Sequence, residues 1–206
     1  MYLVTEYMEN GSLRNYLKNE GNYSGLIEMI DYANQVASGM AYLEGKNLIH
    51  RDLAARNVLV GKKILNKPIL KVGDFGMAKI LESEDGIYIQ PSAKFPVKWT
   101  APEAPVHGFT TKSDVWSFGV LLHEIFTKCL HQPYPEMNTK TLFSELKAGY
   151  RMPSPDNCPD KVYSVMLQCW NILPEERPTF AELEKYFDWD QYFNSNLAHY
   201  YDDIED

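Results

Sequence analysis

The run His50-Arg51-Asp52-Leu53-Ala54-Ala55-Arg56-Asn57 holds a carboxylate, a guanidinium and a carboxamide close together, and a second carboxylate, Asp74, follows 17 positions after Asn57 in Asp74-Phe75-Gly76. These residue types suit one chemistry. A carboxylate beside a hydroxyl can orient it and accept its proton, and an Asn oxygen with a second carboxylate is a donor set for Mg²⁺, which prefers oxygen ligands. Phosphoryl transfer asks little more of a protein than an oriented acceptor, a phosphate held in line and neutralised charge. The spacing lets Asp52 and Asn57 turn into one site while Leu53 and Val58 anchor the loop ends in the core. Gly76 lets the backbone leave Asp74 at a sharp angle.

The flanking sequence supplies elements to hold this loop. Apolar positions Ile30, Ala33, Val36, Ala37, Met40 and Leu43 recur at helical spacing and predict a long amphipathic helix over Ile30–Asn47, leading into His50. Asn57–Val60 and Ile69–Val72 are β-prone runs joined by Gly61 to Pro68, a hairpin whose second strand ends at Asp74. Ser113–Leu122 is apolar on nearly every side, which marks a helix buried all round. Tyr2–Thr5 reads as a short strand and Ser12 as the N-cap of a helix from Leu13; Thr139–Ala148 and Lys161–Asn171 read as helices, and 153–159 as loop.

Composition bounds the rest. A chain of 206 residues, 45% hydrophobic and 23% charged, has material for one sizeable core and one domain. The formal charge of −8 is concentrated at the end, where Asp188, Asp190, Asp202, Asp203, Glu205 and Asp206 occur with no Lys or Arg; without them −2 remains. A near-neutral body gives no electrostatic footprint for nucleic acid or anionic lipid. Cys129, Cys158 and Cys169 lack metal or redox spacing and read as buried free thiols. The longest apolar stretch, Val115–Phe126, is interrupted by His123 and Glu124 and is too short to span a bilayer. No signal peptide opens the chain, so a cytoplasmic, reducing location is expected.

With Ala101-Pro102-Glu103 downstream of both motifs, the chain resembles a non-receptor protein-tyrosine kinase over essentially its whole length. Ala54-Ala55-Arg56 and the run Lys94-Phe95-Pro96-Val97-Lys98-Trp99-Thr100 are similar to tyrosine-specific members rather than serine/threonine ones. The resemblance implies an α+β protein-kinase-like fold. It would comprise the hinge and a mainly helical C-terminal lobe with short β-hairpins over residues 1–187, then an acidic regulatory tail over 188–206, with the N-terminal small lobe absent.

It also assigns roles. Asp52 is the base, Arg56 the cation near the transferred phosphate, and Asn57 and Asp74 the Mg²⁺ ligands. Thr5, Glu6, Met8 and Leu59 are implied to line the adenine site for ATP, Pro96, Val97, Lys98 and Trp99 to form the platform for an acceptor tyrosine of a protein substrate. Glu103 with Arg177 is implied as a structural ion pair, and Asp114 as a brace for the catalytic loop. Tyr88 is the implied activating phosphorylation site, paired by Arg51. Tyr192-Phe193-Asn194-Ser195 and Tyr200 resemble a Src-type tail that docks on an SH2 domain, whereas the Ala-Ala-Arg-Asn order points to the Frk or Brk branch.

Three features depart from the family pattern: a longer hairpin with Lys62, Lys63 and Lys67, a proline at 105, and an extra residue near Lys128–Gln132. A further departure is that no Gly-x-Gly-x-x-Gly, strand lysine or partner glutamate precedes the loop. The chain alone is therefore expected to turn over weakly or not at all, and the alternative is a non-catalytic docking or competing module. Membrane association, if any, would come through upstream segments. Apolar surface around Leu3, Val4 and Val58–Val60 is expected to be uncovered and to favour self-association.

Overall fold

The computed structural model describes residues 4–19, 24–65, 67–81, 85–89, 95–188 and 192. In chain order the elements are α1 (Leu13–Lys18), α2 (Leu26–Gly45), β1 (Leu48–Ile49), β2 (Val58–Ile64), β3 (Lys67–Val72), β4 (Lys79–Ile80), α3 (Ala104–His107), α4 (Thr111–Phe126), α5 (Leu142–Lys147), α6 (Asp160–Cys169) and α7 (Phe180–Phe187). β2 pairs antiparallel with β3, and β1 with β4, so two small ribbons sit on a helical body.

α4 is the axis of the core. It starts in a reciprocal cap, with the Thr110 hydroxyl accepting from the Ser113 N–H and the Ser113 hydroxyl oxygen accepting from the Thr110 N–H. Beyond that turn only His123 escapes burial, which is why its sequence shows no polar stripe. Gly119 lets α6 come close: a Cβ there would lie 2.6 Å from Trp170 Nε1 and 2.8 Å from Cys169 Cβ. α2 buries Ile30, Ala33, Val36, Ala37, Met40 and Leu43 and packs against α4, α7 and β3. It begins at Leu26, earlier than its periodicity indicates, because the Glu28 carboxylate accepts the Gly25 N–H at 3.0 Å and closes the first turn.

The hairpin is longer and tighter than its sequence suggested, its strands running to Ile64 and from Lys67 with a register shift between Val60 and Lys63. Gln35 of α2 fastens β3 from outside, donating to Pro68 O (3.0 Å) and accepting from Leu70 N–H (2.8 Å). On the other edge Asn10 N–H donates to Val60 O (2.9 Å) and Val60 N–H to Gly11 O (2.8 Å).

Several expectations need correction. Val4 and Thr5 are not in a strand; the expected residues Tyr2 and Leu3 lie outside the described ones. The expected apolar exposure at Val58–Val60 does not occur, because strand alternation turns Val58 and Val60 fully into the core and leaves only Leu59 half-buried; Val4 is exposed. Cys129 and Cys169 are buried free thiols, but Cys158 is only half-buried. Pro105 is accommodated in the first turn of α3, where its missing N–H costs nothing.

Candidate active site

Each chemical group sits at the end of an element. α2 leads through β1 to His50, β2 starts one residue after Asn57, and β3 ends just before Asp74. The Gly73 N–H donates to Asn57 O at 2.8 Å, which sets the two strand ends side by side and brings Asn57 next to Asp74. His50 locks the same junction. Its Nε2 faces the Gly73 carbonyl at 2.9 Å and its Nδ1 faces the Asp52 N–H at 3.3 Å. A carbonyl can only accept and an amide N–H can only donate, so His50 is neutral with its proton on Nε2.

Asp52 is held at both ends. Asn57 Nδ2 donates to Asp52 O (2.7 Å) and to Oδ2 (2.8 Å), while Arg56 pairs with Oδ1. The Asn57 amide nitrogen is thus consumed in orienting the carboxylate, and its oxygen turns the other way. Asp74 has a left-handed backbone (φ 58°, ψ 70°), and its carboxylate accepts a long hydrogen bond from the Gly76 N–H at 3.3 Å. Asn57 and Asp74 therefore present oxygen ligands of the kind Mg²⁺ takes, and the donor set fits that ion. Among the described residues no cluster of three or more His, Cys, Asp or Glu side chains offers a transition-metal site.

Beneath the loop lie two buried acids. Asp114 Oδ2 accepts the His50 N–H (2.7 Å) and Oδ1 the Arg51 N–H (2.9 Å). Arg51 needs that support, since its φ is 70°, a strained conformation for a residue that is neither Gly nor Asx. Burial pushes the Asp114 carboxyl up to about 6 against the pull of the two N–H donors. The second acid, Glu124, accepts with one oxygen both the Ala55 N–H (2.9 Å) and the Trp99 indole N–H (2.9 Å). Burial pushes the Glu124 carboxyl up as well, opposed by those two donors. Sequence reasoning missed Glu124, treating it only as an interruption in an apolar stretch. The missed signal was a carboxylate in a helix with no solvent face, which must have donors.

Pro96–Trp99 forms a turn fixed to α4 and to the segment that follows it. Trp99 N–H donates to Pro96 O (2.9 Å), Ser117 Oγ donates to Trp99 O (2.7 Å), and Lys98 Nζ donates to Tyr134 O (2.8 Å). Val97 O accepts from Thr100 N–H at 3.3 Å. The Arg56 guanidinium stacks 4.5 Å from the Trp99 ring, so the Pro96–Trp99 turn and Asp52 meet through one arginine. A cavity of about 190 Å³ opens beside them, with Arg14, Lys18, Arg56, Trp99, Glu124 and His131 in its wall.

Other expected residues are placed as follows. Thr5 and Glu6 are exposed, and Glu6 pairs with Lys71. Met8 is buried against Gly61, and its carbonyl accepts the Gly11 N–H at 3.1 Å. Leu59 lies over Gly73, beside Asp74. Glu103 and Arg177 form a two-pronged pair at 2.7 and 2.9 Å, with the arginine side chain fully buried. Tyr88 exchanges two backbone hydrogen bonds with Phe109 (2.9 and 2.8 Å), and the Arg51 guanidinium lies 4.7 Å from the Tyr88 ring and 4.6 Å from that of Phe109. Gly108 makes that approach possible at φ 99°, because a Cβ would lie 2.4 Å from Ile87 Cγ2. Tyr200, with the tail beyond 192, lies outside the described residues. Among the described residues no helix is long and apolar enough to cross a membrane.

Comparison with known proteins agrees with this geometry. Residues 1–187 match the family described as protein tyrosine and serine/threonine kinase. A curated relative, "Tyrosine protein-kinase src-1" of Caenorhabditis elegans, is 51% identical over 201 residues, which is 97% of this chain and 37% of that protein. The chain thus spans little more than a third of the relative's length. A carboxylate paired with an arginine, two further oxygen donors assembled on these elements, and a family match over nearly all of them lead to one assignment: this chain belongs to the protein tyrosine and serine/threonine kinase family.

Proposed function

We propose that these residues form the catalytic half of a tyrosine kinase that transfers the γ-phosphoryl group of ATP to a tyrosine hydroxyl in protein substrates. The observation that carries the reading is the three-point grip on Asp52, two bonds from the Asn57 amide to its carbonyl and carboxylate and one from Arg56, which leaves a carboxylate fixed in orientation beside two oxygen ligands. Asp52 orients the phenol and takes its proton as the oxygen bonds to phosphorus. ADP departs with the electrons of the broken phosphoanhydride bond. Asn57 and Asp74 would hold Mg²⁺, which when bound neutralises charge on the phosphates. Arg56 stays near the acceptor because Trp99 supports its flat face. Thr5, Glu6, Met8 and Leu59 are proposed to line the adenine site, and Pro96–Trp99 to seat the acceptor chain, with tyrosine rather than serine favoured by the platform.

Tyr88 is proposed as the regulatory phosphorylation site, since its ring already rests on Arg51 and a phosphate there would find that cation within reach. Tyr200 is proposed as a tail site for an SH2 domain. The direct test is radiolabelled ATP with a Glu/Tyr copolymer, using the full-length protein and this chain side by side, followed by phosphoamino acid analysis. Asp52→Asn should lower the full-length rate by roughly 10²–10⁴-fold while the melting curve stays in place. Label on serine, or a variant as fast as its parent, would refute the proposal.

A further inference from the structure

We infer that Glu124 is a positioning residue for transfer, acting as a single tie between the base-bearing loop and the acceptor platform; the inference rests on the kinase reading above. One oxygen of a buried α4 carboxylate takes the Ala55 N–H and the Trp99 indole N–H, each at 2.9 Å. Ala55 lies between Asp52 and Asn57, whereas Trp99 belongs to a different segment, 44 positions further along the chain. Trp99 in turn carries the Arg56 guanidinium on its ring at 4.5 Å, and Arg56 pairs with Asp52. The path Glu124–Trp99–Arg56–Asp52 closes on itself through the Ala55 backbone.

A closed ring of contacts fixes a distance rather than merely filling space. The loop is also supported independently of Glu124, by Asp114 from below and by Ala55 O, which accepts the Arg14 N–H at 2.9 Å. The platform likewise keeps its Ser117 bond. Asp114 and Ser117 attach the two parts to α4 separately, whereas Glu124 bonds both through a single oxygen and so fixes the spacing between Ala55 and Trp99 directly. Reacting atoms misplaced by about 1 Å can cost on the order of 10²-fold in rate. Loss of the tie should thus lower kcat with acceptor peptide and leave KM for ATP in place, because the ligands Asn57 and Asp74 are not in the ring.

The test uses two variants of the full-length protein. Trp99→Phe deletes the indole donor and keeps a ring under Arg56; Glu124→Gln keeps an acceptor oxygen of the same reach. Trp99→Phe should lower kcat about tenfold with KM for ATP unchanged, and Glu124→Gln should retain more than a tenth of the parental kcat, whereas Glu124→Ala should retain about a hundredth. A second readout needs no turnover: in this chain, exchange of the Trp99 indole proton and the Ala55 amide proton should speed up together in Glu124→Ala. Should wild-type protein be inactive, the kinase reading fails. Should wild type be active and Trp99→Phe match it in kcat, or raise KM for ATP instead, the tie is refuted and the kinase reading stands.

Discussion

The catalytic loop and the stretch around Tyr88 share one arginine and are held in opposite ways. Around Arg51–Asn57 the anchors are buried: two carboxylates from α4, the His50 ring and a backbone link to Gly73. Around Tyr88 there are a two-bond bridge to Phe109, a side-chain hydrogen bond to Arg51 and stacked rings on that arginine, flanked by Ile87 and Ile89 at 40% and 68% exposure. The first arrangement is costly to open, since each uncovered partner is a buried polar group. The second can be exceeded by one new charge–charge contact. The groups proposed to do chemistry are fixed by interactions that cannot be traded, and the residue proposed to regulate them is fixed by interactions that can.

The strongest way to break the comparison is to remove an anchor from the rigid side. Asp114→Ala leaves the His50 and Arg51 N–H groups without acceptors in a site that is 1% exposed and removes support from a left-handed Arg51. A loss of about 3–5 kcal/mol is expected by urea unfolding. A loss below 1 kcal/mol would mean that the loop is not held from beneath. Arg177→Leu, which strands the Glu103 carboxylate, should cost a similar amount and serves as a reference for a buried pair.

pH sharpens the same point. Asp114 is raised from 3.8 to about 6 in the fold, so the folded state binds that proton more tightly than the unfolded chain does. This group's contribution to stability therefore increases as pH falls from about 6 towards 4, and is lost as pH rises through 6. Protonation also turns one of its two acceptor oxygens into a hydroxyl. Transfer activity should fall below about pH 6 without an accompanying drop in melting temperature from this group. Parallel decline of both, carried over unchanged into Asp114→Asn, would rule out Asp114 as the source.

On the loose side the effects are smaller. Gly108→Ala forces a Cβ against Ile87 at a φ that alanine dislikes, and should cost about 1–2 kcal/mol while speeding exchange of the Tyr88 and Phe109 amides. Tyr88→Phe keeps the ring on Arg51 but removes the hydroxyl's hydrogen bond with that side chain, and should cost about 1 kcal/mol or less. What it should abolish is the rise in activity after phosphorylation; a Tyr88→Phe protein that activates as fully as its parent would end that proposal.

Local chemistry made much of this legible. Ser12 before Leu13 marked a helix start, and the 3.6-residue period of Ile30 to Leu43 marked the buried face of α2. Glu103 with Arg177, and Asp114 beneath the loop, were expected contacts that the structure contains. Long-range geometry was not legible. Nothing in the spacing of Glu124 and Trp99 says that they meet, and the burial of Val58 and Val60 depended on which face of the hairpin the helices α1 and α2 would cover. The start of α2 was misjudged because a glycine precedes it and the Glu28 carboxylate does the capping.

The Gln35 amide clasp on β3 has a consequence for how copies of this protein could meet. An open strand margin is a template on which a foreign strand can polymerise. Here the outer margin of β3 is occupied by a glutamine that mimics a neighbouring backbone, at a position where Pro68 offers no N–H. The opposite margin is filled by Asn10 and Gly11. The ribbon is sealed along both sides at its base, so fibril-like stacking would have to begin elsewhere.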